Sequence, residues 1–113
     1  MAIRLRLDKP WRPLTADVAA RLPGQLGVYQ IADAKGQVLY IGHAGARSPF
    51  GLRSEIQREA SERGSGCQFR VEVNQQYRTR WLELLMVHQA DHGSLPPDNA
   101  KNPPANLGRL SPA

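Results

Sequence analysis

Apolar and polar positions alternate along several stretches of this chain and recur at helical spacing along two others. Ile3, Leu5 and Leu7 alternate with Arg4, Arg6 and Asp8, a period of two that predicts a short edge strand or an extended arm. Pro10 and Pro13 flank Trp11 and stop it. Thr15 can cap a short helix running through Asp17, Val18 and Ala19 to Leu22, ended by Pro23-Gly24. Two apolar runs follow, residues 26–31 and 38–41, separated by Ala32-Asp33-Ala34-Lys35-Gly36-Gln37, which carries turn chemistry and predicts a β-hairpin. Closing that turn at Ala32 and Gln37 sets Ile31 opposite Val38, Tyr29 opposite Tyr40 and Gly27 opposite Gly42. Both tyrosines then stand on one open face, and Val28, Leu39 and Ile41 line the other, the expected core side.

Residues 42–50 read as a loop rich in glycine, alanine and serine. A helix is predicted from Gly51 to Arg63, with Leu52, Ile56 and Ala60 forming a narrow buried stripe. Cys67, Phe69, Val71 and Val73 alternate with Gln68, Arg70 and Glu72, which predicts a third strand. Residues 75–92 form the strongest helix, carrying Tyr77, Trp81, Leu82, Leu84, Leu85, Met86 and Val87 and ended by His92-Gly93. From Ser94 onward five prolines predict an irregular tail. The organisation is ββαβα with arms: an amino-terminal arm over 1–21, a domain over 22–92 and a Pro/Asn-rich tail over 93–113. The expected fold class is α/β (α+β), a small, mainly antiparallel three-stranded sheet flanked by helices.

A length of 113 residues is enough for one self-sufficient core, so no metal or disulfide staple is needed to fold it. The single Cys67 excludes an internal disulfide framework and a multi-cysteine zinc site. No apolar run reaches the roughly 20 residues that span a bilayer, and the early charges break a signal-peptide pattern. A cytoplasmic protein without membrane association is therefore expected. Fifteen basic residues against ten acidic ones give a net charge of +5. Twelve of the fifteen are arginine, whose planar fork of donors matches phosphate oxygens. A GC-rich genome explains much of the arginine preference, but the excess charge still favours a polyanionic partner.

At Gly27-Val28-Tyr29 and Tyr40-Ile41-Gly42 the sequence resembles the GIY-YIG nuclease family. Ten residues separate Tyr29 from Tyr40, a spacing usual in that family, and the order strand, strand, helix, strand, helix is the family's own. Leu22-Pro23-Gly24-Gln25-Leu26 also resembles the approach to the first motif in excision-repair members. The resemblance covers roughly residues 22–92. Chemically, glycines beside the tyrosines let a phosphate approach the sheet, and two phenols on one face can orient a water and a phosphate oxygen. The alternative reading is a cross-strand aromatic pair that merely stabilises the hairpin.

The resemblance implies hydrolysis of a DNA phosphodiester with Mg2+ (or Mn2+), in which Tyr29 helps activate the water, Tyr40 and His43 hold the phosphate and Glu83 binds the metal. Glu83 among so many apolar neighbours would be costly if buried and unpaired, a cost a divalent cation would offset; the alternative is a solvent-facing glutamate paired with Arg80 or Tyr77, and the resemblance favours the metal role. The family's arginine aligns with Glu55, which would repel phosphate. Arg53 is the nearest cation in sequence and is expected to balance charge. Arg58 lies one turn from Glu55 on roughly the same face. Arg47, Arg58, Arg78 and Arg80 are expected around a DNA-binding rim. Asn99 is the best match to a closing asparagine, with Asn102 and Asn106 as competitors. His88 and His92, spaced i, i+4, could in principle bind zinc, but no third ligand is evident in the sequence, so they read as helix-end packing and capping. Three functions stay open: a DNA endonuclease, a nucleic-acid-binding module of the same fold that has lost cleavage, and a protein-interaction adaptor. With no separate DNA-targeting domain in the sequence, a homodimer or a partner protein is expected to supply targeting.

Overall fold

The computed structural model describes residues 6–104. Ile3, Leu5 and Asn106 lie outside them. The chain runs β1 (Arg12–Pro13), α1 (Ala16–Ala20), β2 (Gly27–Ala32), β3 (Val38–Ala44), α2 (Gly51–Arg63), β4 (Gln68–Val73), α3 (Tyr77–His92) and α4 (Pro97–Ala100). The fold is α+β, with an antiparallel sheet in the order β1-β4-β2-β3. It has four strands where three are expected. The added β1 is two residues long and pairs Arg12 with Phe69 and Pro13 with Gln68. Proline is tolerated there because an edge strand has no neighbour on its outer side to receive the missing N–H. Arg6, Leu7 and Asp8 are not a strand. Leu7 instead plugs the core beneath α3.

Thr15 caps α1, its Oγ1 accepting from the Val18 N–H at 3.3 Å. The hairpin turn is closed one residue tighter than expected. Asp33 N–H donates to the Gln37 carbonyl, the Asp33 carboxylate accepts from the Lys35 and Gln37 amides, and Gly36 takes φ 90°, where glycine is favoured. A bulge at Leu39 then adds a second residue of slip between Ile31 and Ala32. The resulting register sets Ile31 opposite Tyr40, Tyr29 opposite Gly42 and Gly27 opposite Ala44, which corrects the expected pairing by two residues. Because side chains alternate with a period of two, a two-residue slip leaves every β3 side chain from Tyr40 onward on its predicted face. Tyr29 and Tyr40 therefore still share a face, as diagonal neighbours.

That face is not open. Every residue of β2 is buried, because helices cover both sides of the sheet. On one side α1 and α2 bring Ala19, Leu52 and Ile56 onto Tyr29, Ile31 and Phe69. On the other, α3 brings Leu84 and Leu85 onto Val28 and Ile41, with Leu7 beside them. Val38 takes the place expected for Leu39 on the α3 side, since Leu39 is the bulge residue. The tail is not wholly irregular: Pro97 starts the one-turn α4, which packs against β3.

Candidate functional site

The site begins with the two glycines of the hairpin. A Cβ at Gly42 would collide with the Tyr29 phenol, so the glycine exists to let that ring lie flat across β3. A Cβ at Gly27 would meet the Glu72 carbonyl of the neighbouring strand. Both glycines thus serve close approach within the protein. The Tyr29 and Tyr40 ring centroids are 6.0 Å apart and tilted by 54°. Tyr29 is 1% exposed, and its hydroxyl donates to the Glu59 carboxylate at 3.0 Å. Burial, with Glu59 and Tyr40 close by, pushes the Tyr29 pKa far above the usual phenol value, so it remains a proton donor at neutral pH. Tyr40 is shifted the same way, by burial first and then by Glu59.

The face of α2 that covers these phenols is a continuous charged network. Glu59, 4% exposed, also receives Arg63 Nε at 2.7 Å, and Arg63 reaches Asp98 at 2.9 Å. The Arg63 guanidinium lies 5.7 Å from the Tyr40 ring centroid, a cation–π distance. Arg58 Nη2 lies 2.7 Å from Glu55 and 3.5 Å from the Tyr29 hydroxyl. Ser48 Oγ donates to the other oxygen of Glu55 at 2.7 Å. Arg58 and Arg63, not Arg53, are therefore the arginines presented to the tyrosines. Arg53 points away, its Nε donating to the Leu22 carbonyl at 2.8 Å to fasten α2 to the turn that follows α1. This overturns its expected place beside the phenols.

His43 is also separated from Tyr40. Adjacent parity places it on the α3 side of the sheet, where its ring meets Trp81 at 4.8 Å and Tyr77 at 5.4 Å. Its Nδ1 is buried without a hydrogen-bond partner. Burial, followed by the nearby Arg78, holds its pKa below the ordinary histidine value. Arg78 opens α3, Arg47 follows β3, and Gly45 packs onto the Tyr77 ring, so these two exposed arginines stand at the same end of the sheet. Neither forms an ion pair among the described residues.

The remaining expected site residues do not join the phenols. Glu83 stands on α3, across the sheet from Tyr29, and is held by Arg80. Its side chain is 37% exposed, so it is neither buried nor unpaired. Arg80, expected on an exposed rim, is 8% exposed and also binds Glu72 at 2.8 Å. Divalent magnesium needs a carboxylate with free lone pairs beside the scissile phosphate. Glu83 does not fit that need at the tyrosines, and among the described residues no group of three or more His, Cys, Asp or Glu side chains is arranged for a metal. Asn99 is the asparagine that enters the fold, whereas Asn102 is exposed. Its side-chain amide both accepts from the Ile41 N–H at 2.8 Å and donates to the Ile41 carbonyl at 2.9 Å, acting as one residue of an absent fifth strand.

Glu59 and Arg63 escaped the sequence reading. The signal was present, since Glu59 lies three residues after Ile56 and Arg63 seven after it, both on the buried stripe. Residues 5–91 match the family model of a domain of unknown function, DUF7508. No curated protein and no solved structure matches the chain.

Proposed function

The chain belongs to the DUF7508 family, and for it we propose a GIY-YIG-type domain that binds the nucleic-acid backbone and has lost phosphodiester cleavage. One observation carries this reading: the paired tyrosines are present, but the Tyr29 hydroxyl is committed to the buried Glu59. A phenol whose proton is held by a carboxylate under a helix cannot take a proton from water near neutral pH. The Glu55 carboxylate, where the resemblance asks for an arginine, adds negative charge beside the phenols. The binding surface in this reading is the sheet end that carries Arg47 and Arg78, which supply donors for phosphate oxygens.

A second reading, an active nuclease, is favoured by Arg58, whose guanidinium reaches the Tyr29 hydroxyl from the face the resemblance assigns to a cation. Fork, flap and duplex DNA incubated with the protein in magnesium or manganese separate the two. Binding without product is expected. Cleavage that disappears in Tyr29→Phe would establish the nuclease instead. Affinity should fall steeply between about 50 and 200 mM salt, and Arg47→Ala with Arg78→Ala should reduce the log–log salt slope by about 2. A salt-independent affinity would point to a protein partner.

A further inference from the structure

We infer that His88 and His92 form a binding site for a divalent transition-metal ion of the zinc type, at the end of the molecule away from Arg47 and Arg78. Histidines at i, i+4 project from one helix face and are a recurrent pair of metal ligands. Here the rings are already together, with centroids 4.4 Å apart and planes tilted by 36°. The His88 Nδ1 lies 2.9 Å from the Ser94 carbonyl oxygen. A carbonyl can only accept, so Nδ1 carries the proton, and in the neutral ring Nε2 holds the free lone pair. An imidazole fixed through one nitrogen by a backbone carbonyl is how proteins orient a metal-binding histidine.

Two surroundings favour a cation. His92 lies in the last turn of α3, where the unsatisfied carbonyls carry partial negative charge, and His88 stands one turn before it. Two cavities, of about 180 and 320 Å3, are both lined by His88, His92 and Val38 and leave room for waters to complete the coordination shell. The intervening Asp91 is bound through both carboxylate oxygens by Arg6, at 2.8 and 2.6 Å, so this pair contributes no net repulsion. The ligand set is two imidazoles plus solvent. Nitrogen donors of this kind select zinc, copper or nickel over magnesium or calcium. The Ser94 carbonyl sets the geometry, which spacing alone does not reveal.

The test is a calorimetric zinc titration of metal-stripped protein, with the histidine side-chain nitrogens followed by NMR. One saturable zinc per chain is expected, with the His88 and His92 resonances moving. His92→Ala, at an exposed position that leaves the fold unchanged by circular dichroism, should abolish this binding, and His88→Ala should do the same. His43→Gln, at the third histidine, should leave it intact. A wild-type titration with no stoichiometric zinc uptake overturns the site, as does uptake that survives His92→Ala.

Discussion

Glu59→Gln is the most direct perturbation of the network under α2. The carboxylate accepts from the Tyr29 hydroxyl at 3.0 Å and from Arg63 Nε at 2.7 Å, with Arg58 at 3.7 Å. Hydrogen bonds to a charged group contribute about 1.5–3 kcal/mol each, which bounds the loss at about 3–6 kcal/mol. Glutamine keeps one acceptor oxygen, and Arg63 keeps Asp98, so about 2–3 kcal/mol is expected. For a domain of this length, 1 kcal/mol corresponds to about 4 °C in Tm, so the midpoint should fall by roughly 8–12 °C. Differential scanning calorimetry reads it directly, with Glu62→Gln as the exposed control on the same helix. Tyr29→Phe combined with Glu59→Gln closes a double-mutant cycle, and a coupling of about 1–2 kcal/mol is expected. A fall of less than about 3 °C, or a control that falls equally, would mean the buried carboxylate is not a structural anchor.

Three further outcomes follow from the same geometry. Gly42→Ala should cost at least about 2 kcal/mol in urea unfolding, because the new methyl meets the Tyr29 ring, and Tyr29→Leu should recover part of the loss. Asn99→Ala should speed hydrogen exchange at the Ile41 amide well above that of neighbouring β3 amides, since it removes that amide's acceptor. His43 has a folded pKa below its unfolded value near 6.5, so between those values the unfolded chain binds the extra proton and stability rises with pH. Tm measured from pH 5 to 7.5 should climb and then level off, and His43→Phe should flatten the climb.

Helix and strand locations were legible because they depend on local periodicity. Leu52, Ile56 and Ala60 mark α2, and its ends at Gly51 and Arg63 agree with the structure. The tyrosine face was legible for a stronger reason: a slip of two residues in register cannot change it. The bulge at Leu39 and the tight turn at Asp33 were not, because both arise from backbone hydrogen bonding that alternation does not record. Whether the tyrosine face was open or covered depends on how α2 lands on the sheet, a long-range event. For the same reason the Leu22 partner of Arg53 and the Glu72 partner of Arg80 could not be read from adjacency, being remote in sequence or on another element, whereas the Arg80–Glu83 pair at i, i+3 could. Glu59 was hidden by its type, since a carboxylate on an apolar stripe reads as solvent-facing until its donors are known.

The amide of Asn99 has a consequence for how this molecule avoids its own copies. β3 is an outer strand, and such a strand offers an unfilled ladder to any other extended chain. Asn99 occupies the rung at Ile41, and the Trp81 indole donates to the same carbonyl at 2.8 Å, so the middle of the strand cannot accept a second backbone. The protection comes from a residue beyond the 5–91 span of the family match. A chain shortened to His92 would retain the buried residues of both cores and the Trp81 contact but leave the Ile41 N–H of β3 open, and its expected defect is concentration-dependent aggregation more than unfolding.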